Sequence, residues 1–165
     1  MPLKVALLMG SINDWDKLKP AIKVLKDLGI ESEAHNYSAH RTPALASKFA
    51  SEARENGFGA IICAAGVAAH LAGAVAAQTT LPVIGIPLTG ALDGLDALLS
   101  TVQMPPGMPV GTMAINGAKN AALFAAQILA VEDAQLAGKL AAMRGKIVQD
   151  FMDNDVKLQE MVKEL

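Results

Sequence analysis

"AIICAAGVAAHLAGAVAA" (Ala60–Ala77) runs for eighteen residues without an Asp, Glu, Lys or Arg. That length could cross a membrane. Alanine is only weakly apolar, however, and His70 and two glycines interrupt the run. The better reading divides it. Ala60–Ala65 is a short apolar strand buried on both faces, and Ala68–Thr79 is a helix lined with small residues. A strand that leads through a glycine-bearing loop straight into a helix is the repeating unit of an α/β fold.

The same unit recurs on either side. Leu3–Met9 reads as a strand ended by Gly10, followed by a helix with Leu18, Ile22, Leu25 and Leu28 on one face, stopped at Gly29. Ile30–Tyr37 is a weaker, partly polar strand that suits a sheet edge. Thr42–Pro43 opens a helix that runs to Gly57. Pro82–Pro87 is a strand, Gly94–Gln103 a helix, Pro109–Ile115 a fifth strand and Ala118–Val131 a fifth helix. Connections too long for hairpins between doubly apolar strands predict a parallel sheet with helices on both faces, an α/β three-layer sandwich. The 165 residues suit one domain. From Asp133 to Leu165 the pattern changes to one long helical extension, with Leu136, Leu140, Met143 and Ile147 sharing a face. One helix cannot bury that face alone, and its place beyond the α/β unit favours packing on a neighbouring subunit over packing on its own domain; a separate coiled coil is the alternative.

Charge excludes some functions. Fourteen basic and sixteen acidic residues give a net charge of −2, and the basic ones are scattered, which offers no footprint for nucleic acid or an anionic membrane. "MPLKVALLMG" has too short an apolar run for a signal peptide and reads as strand. The single cysteine, Cys63, cannot form an internal disulfide, which fits a reducing cytoplasm, and it reads as inert core.

Ligands of an open parallel sheet bind outside the carboxyl ends of its strands. Four loops belong to that edge: "MGSIND" (Met9–Asp14), "SAHRTP" (Ser38–Pro43), "AAGVAAH" (Ala64–His70) and "PLTGALDG" (Pro87–Gly94). In the first, Gly10 permits a sharp turn and Ser11 precedes a helix N-terminus, a place suited to an anion such as phosphate. The loop has neither a Walker lysine nor a complete Gly-x-Gly-x-x-Gly pattern. Asp14 either caps the helix or takes ribose hydroxyls, since it would repel a phosphate. In the second loop, Arg41 can clamp a phosphate or carboxylate, or lie on the surface beside a turn. His40 is suited to proton transfer near neutral pH, although a loop histidine is often only solvated. Ser38 can serve the site or the turn. His70, among small apolar residues, reads as a satisfied core histidine or as the gate of a dry pocket. His35 carries no expectation. "QMPPGMP" (Gln103–Pro109) is a stiff loop that suits a wall or lid. No zinc spacing, paired-carboxylate signature or nucleophile elbow is present.

"MGSINDW", "SAHRTP", "GVAAHLAG" and "STVQMPPGMPVGT", in this order and spacing, resemble the catalytic subunit of the phosphoribosylaminoimidazole carboxylase family, most closely its bacterial class I branch of N5-carboxyaminoimidazole ribonucleotide mutases in purine biosynthesis. The resemblance spans nearly the whole chain. It implies a flavodoxin-like sandwich assembled as a homo-octamer, a small ribonucleotide substrate, and no metal or organic cofactor. Carried over by motif, it implies that Ser11, Asp14 and Arg41 bind substrate, that His40 is the catalytic acid–base, and that Ser38, Gly66, His70 and Leu71 complete the pocket. Asn13 stands where the family often has serine, which alters one phosphate contact. Val67 and Ala72 stand where it often has glycine and proline. Class II carboxylases, which use free carbon dioxide, usually carry lysine at the position of Arg41 and lack the histidine of "AAHL", so Arg41 and His70 favour the mutase. The carbon dioxide-using carboxylase, a non-catalytic mononucleotide- or flavin-binding module and a purely structural oligomer are the competing readings.

Overall fold

The computed structural model describes residues 3–165, so Met1 and Pro2 of the first expected strand segment lie outside the described residues. Two compact units make up the chain, divided at Leu129/Ala130. The first contains β1 (Lys4–Met9), α1 (Trp15–Leu28), β2 (Ser32–Asn36), α2 (Pro43–Glu52), β3 (Phe58–Gly66), α3 (Leu71–Ala76), β4 (Val83–Leu88), α4 (Leu95–Val102), β5 (Gly111–Thr112) and α5 (Ala118–Leu129). All neighbouring strands are parallel, in the order β2-β1-β3-β4-β5, the flavodoxin-like arrangement. The partly polar β2 is indeed an edge, as its composition suggested.

β1, β3 and β4 are buried almost throughout, because helices cover both faces of the sheet. Beneath α2 and α3 lies a cluster that includes Ala46, Ala50, Phe58, Ile61, Cys63, Leu71, Ala72 and Val75. α5 packs on β3 and α1 through Ala118, Ala121, Ala122, Ala125 and Ala126. The many alanines are what let helices approach the strands this closely. Gly85 in β4 is an extreme case: a Cβ there would run into the Thr101 side chain of α4 and sit 3.3 Å from Ala72 of α3. Burial drives the Cys63 thiol far above its ordinary pKa, which suppresses the reactive thiolate.

Several element readings need correction. On α1 the buried positions are Leu18, Ala21, Leu25 and Leu28, while Ile22 is only half-buried, so the buried stripe is rotated by one residue. Gly29, at φ 78°, ends that helix as expected, with its N–H on the Lys26 carbonyl. α2 stops at Glu52, and Ala53–Gly57 form turns closed by Gly57 at φ 82°. The fifth strand is only Gly111–Thr112. Met113 N–H still reaches the Gly85 carbonyl, but the reciprocal donor in a parallel ladder would be Pro87, which has no N–H.

The second unit is α6 (Ala134–Lys163). Asp133 caps it, with Oδ1 accepting from Leu136 N–H at 2.9 Å. Leu136 and Leu140 are buried, Met143 is half-buried, and Ile147, Val148, Phe151, Met152, Val156 and Leu158 are at least half exposed. Among the described residues no helix is long and apolar enough to cross a membrane.

Candidate active site

The four loops that follow β1, β2, β3 and β4 open on one sheet edge and line one cavity of about 550 Å³. β1 contributes Gly10, Ser11 and Asp14; β2 contributes Ser38, Ala39, His40 and Arg41; β3 contributes Ala65–Ala68, His70 and Leu71; β4 contributes Thr89 and Gly90.

The first loop is built by Ser11. Its Oγ accepts from Asn13 N–H at 3.3 Å and caps a single 3-10 turn, Ile12–Asp14, ahead of α1. The Asp14 carboxylate makes no capping hydrogen bond to α1, so the helix-cap reading does not hold and the side chain is left on the cavity wall. Asn13 is exposed and does not line the cavity.

Ser38 shapes the second loop. Its Oγ accepts from the N–H groups of His40 (3.3 Å) and Arg41 (3.1 Å), and its own N–H donates to Thr42 Oγ1 at 2.8 Å. These local bonds turn the chain so that the two following side chains project from the strand end. Arg41 Nη2 then donates to the Gly10 carbonyl at 2.7 Å, tying the β2 loop to the β1 loop. Arg41, Gly10 and Ser11 thus line the same part of the cavity, where an anion could meet the guanidinium and the turn together.

His70 is not a core residue. It is exposed on the cavity, and its Nδ1 lies 2.8 Å from His40 Nε2, with the rings at 85°. At this distance one proton sits between the rings, so one nitrogen donates and the other accepts. Two imidazolium rings would oppose N–H to N–H and break the contact. Among the small residues around His70, Gly66 and Ala68 line the cavity and Ala69 is buried. Val67, which stands on the wall, adopts φ 57°, a strained backbone for a β-branched residue.

His35 lies off the site, stacked on Tyr37 with ring centroids 5.1 Å apart. The Gln103–Pro109 loop does not line the cavity; Gly107–Pro109 border a different concavity with Arg54 and Thr80. The histidine contact was not visible in the sequence, whereas the Thr89–Gly90 wall belongs to the Pro87–Gly94 loop expected at this edge, although neither residue stood out there. β1 lies between β2 and β3 in the sheet, so only the strand order reveals that the loops of β2 and β3 meet.

The AIR carboxylase family model matches residues 4–150. The chain belongs to the AIR carboxylase family. A family member named N5-carboxyaminoimidazole ribonucleotide mutase in Saccharolobus solfataricus is 51% identical over 154 residues, covering 93% of this chain and 94% of that protein. One of the same name in Bacillus subtilis is 48% identical over 157 residues, covering 93% and 97%. Among solved structures, Treponema denticola PurE superposes with a TM-score of 0.85 at 28% identity, covering 93% of this chain and 97% of that one. The likeness to the AIR carboxylase family thus covers the whole α/β unit and all four cavity loops.

Proposed function

We propose that this chain is an N5-carboxyaminoimidazole ribonucleotide mutase of purine biosynthesis, with His40 as its general acid and base. The observation that carries the reading is the His40–His70 pair held on the wall of the cavity that Arg41 and the Gly10–Ser11 turn also line. The names of relatives near half identity over almost the full length give it independent support.

The reaction moves a carboxylate from the exocyclic N5 to ring carbon C4. His40 gives a proton to N5; the N–C bond breaks with its electrons going to nitrogen, and carbon dioxide is released. The aminoimidazole left behind is an enamine whose nucleophilic carbon is C4. C4 attacks the carbon dioxide held beside it, and His40 removes the C4 proton, which restores both the aromatic ring and the imidazolium. The proton balance closes on one residue. His70 engages His40 Nε2, so Nδ1 is the nitrogen that exchanges a proton with substrate. Holding carbon dioxide against C4 replaces a search through solvent, which is worth several kcal/mol of barrier. Arg41 and the Ser11 turn hold the 5′-phosphate, and Asp14 takes the ribose hydroxyls. In this reading Ser38, Gly66 and Leu71 serve the substrate as further contacts or as the frame for them, while Asn13 acts only through its N–H on Ser11 Oγ. The enzyme works in the cytoplasm as a homo-octamer, with α6 packed on a neighbouring subunit.

Two substrates offered in parallel test the assignment. The mutase reading predicts 4-carboxy-5-aminoimidazole ribonucleotide from the N5-carboxylated substrate and little from aminoimidazole ribonucleotide plus bicarbonate. The reverse preference makes the protein a carbon dioxide-using carboxylase, and no product from either makes it a binding module.

A further inference from the structure

Thr89 and Gly90 form the cavity wall at the end of β4. The end of β2, which carries His40, lies three strand spacings away, about 14 Å. A ribonucleotide between the two ends is therefore located by the β4 wall as well as by the histidine loop. Yet that wall starts an exposed loop, Thr89–Asp93, with Leu92 and Asp93 at positive φ. Little packing fixes it.

Side chains from two other elements do so instead, and all three polar groups of Thr89 are engaged. Its N–H donates to Asn116 Oδ1 at 3.0 Å, and its Oγ1 accepts from Asn116 Nδ2 at 3.1 Å. Its carbonyl accepts from Lys17 Nζ of α1 at 2.8 Å. Asn116 does not line the cavity. It is aimed by its own backbone: its N–H donates to the Pro87 carbonyl at 2.9 Å, its carbonyl accepts from Ala118 N–H at 2.8 Å, and its φ is 57°. Asparagine tolerates that left-handed conformation better than other side-chain-bearing residues, and only an amide supplies both the acceptor and the donor that Thr89 uses.

We infer that Asn116 is a positioning residue for the mutase reaction: it clamps Thr89 and thereby sets the β4 wall against which the ribonucleotide is aligned with His40. This rests on the function proposed above. The test uses Asn116→Gly, which keeps the positive φ and removes the clamp, and Asn116→Asp, which keeps the acceptor for Thr89 N–H. Thr89→Val and the Thr89→Val/Asn116→Gly double variant complete the set. Wild-type turnover is measured first, because its absence overturns the function itself. Given wild-type turnover, Asn116→Gly is expected to lower kcat about tenfold with KM changed less than threefold and an unaltered melting temperature. Asn116→Asp is expected to recover at least a third of the loss on a logarithmic scale, and the double variant to be no slower than Asn116→Gly. Full activity in Asn116→Gly, losses that multiply in the double variant, or a loss explained by a lower melting temperature would overturn the positioning role and leave the function standing.

Discussion

His40 is the residue on which the chemistry depends, and its exposed place beside His70 means that little stability rests on it. His40→Asn keeps a polar side chain of similar reach and removes the titrating ring. Turnover is expected to fall by at least 10³-fold, within the range that general acid–base groups contribute, while ribonucleotide binding by calorimetry stays within a few-fold. Substantial residual turnover would take His40 out of the proton role. Val67 makes the opposite kind of prediction. Its left-handed backbone costs a β-branched residue about 1–2 kcal/mol, and glycine would remove that cost while adding about 0.5–1 kcal/mol of chain entropy to the unfolded state. Val67→Gly should therefore stabilise by roughly 0.5 kcal/mol in a denaturant titration; a loss above about 1 kcal/mol would show that the wall packing of Val67 outweighs its strain. At this scale the sequence was informative about residue type and less so about partners. Ser11, Asp14, Ser38, His40, Arg41, Gly66, His70 and Leu71 line one cavity, whereas Asn13 does not. The small apolar neighbours of His70 left it open between a core residue and the gate of a pocket; the bend at Val67–Ala68 carries it to the cavity, where it meets His40.

The elements themselves were legible because each carries a period and a stop signal. Gly29 and Gly57 end their segments with positive φ, and the apolar runs of β1, β3 and β4 are the three central strands. What was not legible depends on neighbours. β5 is short because its partner β4 carries Pro87, a fact about pairing that no reading of Pro109–Ile115 contains. Likewise, that α1 buries Ala21 and leaves Ile22 half-exposed depends on the elements it packs against, α5 above all. The layer spacing is sharpest at Gly85, where α3 and α4 both close on β4. Gly85→Ala is expected to cost about 1–3 kcal/mol through overpacking, read as a lower denaturation midpoint with an unchanged slope. A change below about 0.5 kcal/mol would mean that α4 can shift without penalty.

For the whole molecule, the open question from the sequence was what covers the C-terminal helix. α6 keeps its early leucines buried and carries exposed Ile147, Val148, Phe151 and Met152 farther along. Apolar side chains in that number are characteristic of an interface, in keeping with the proposed octamer. Sedimentation is expected to give a mass eight times that of the chain, and Phe151→Glu to reduce it; a monomeric wild type, or an unaffected octamer in the variant, would contradict the role of α6. Beyond fold and family, the proposed chemistry requires that the carboxylate leave N5 and return at C4 inside one cavity. The most direct measurement supplies N5-carboxyaminoimidazole ribonucleotide carrying ¹³C in the carboxylate, with unlabelled bicarbonate in solution, and follows the C4 carboxylate of the product by NMR. Most of the label is expected at C4. Product carrying the unlabelled carbon of the medium would contradict it.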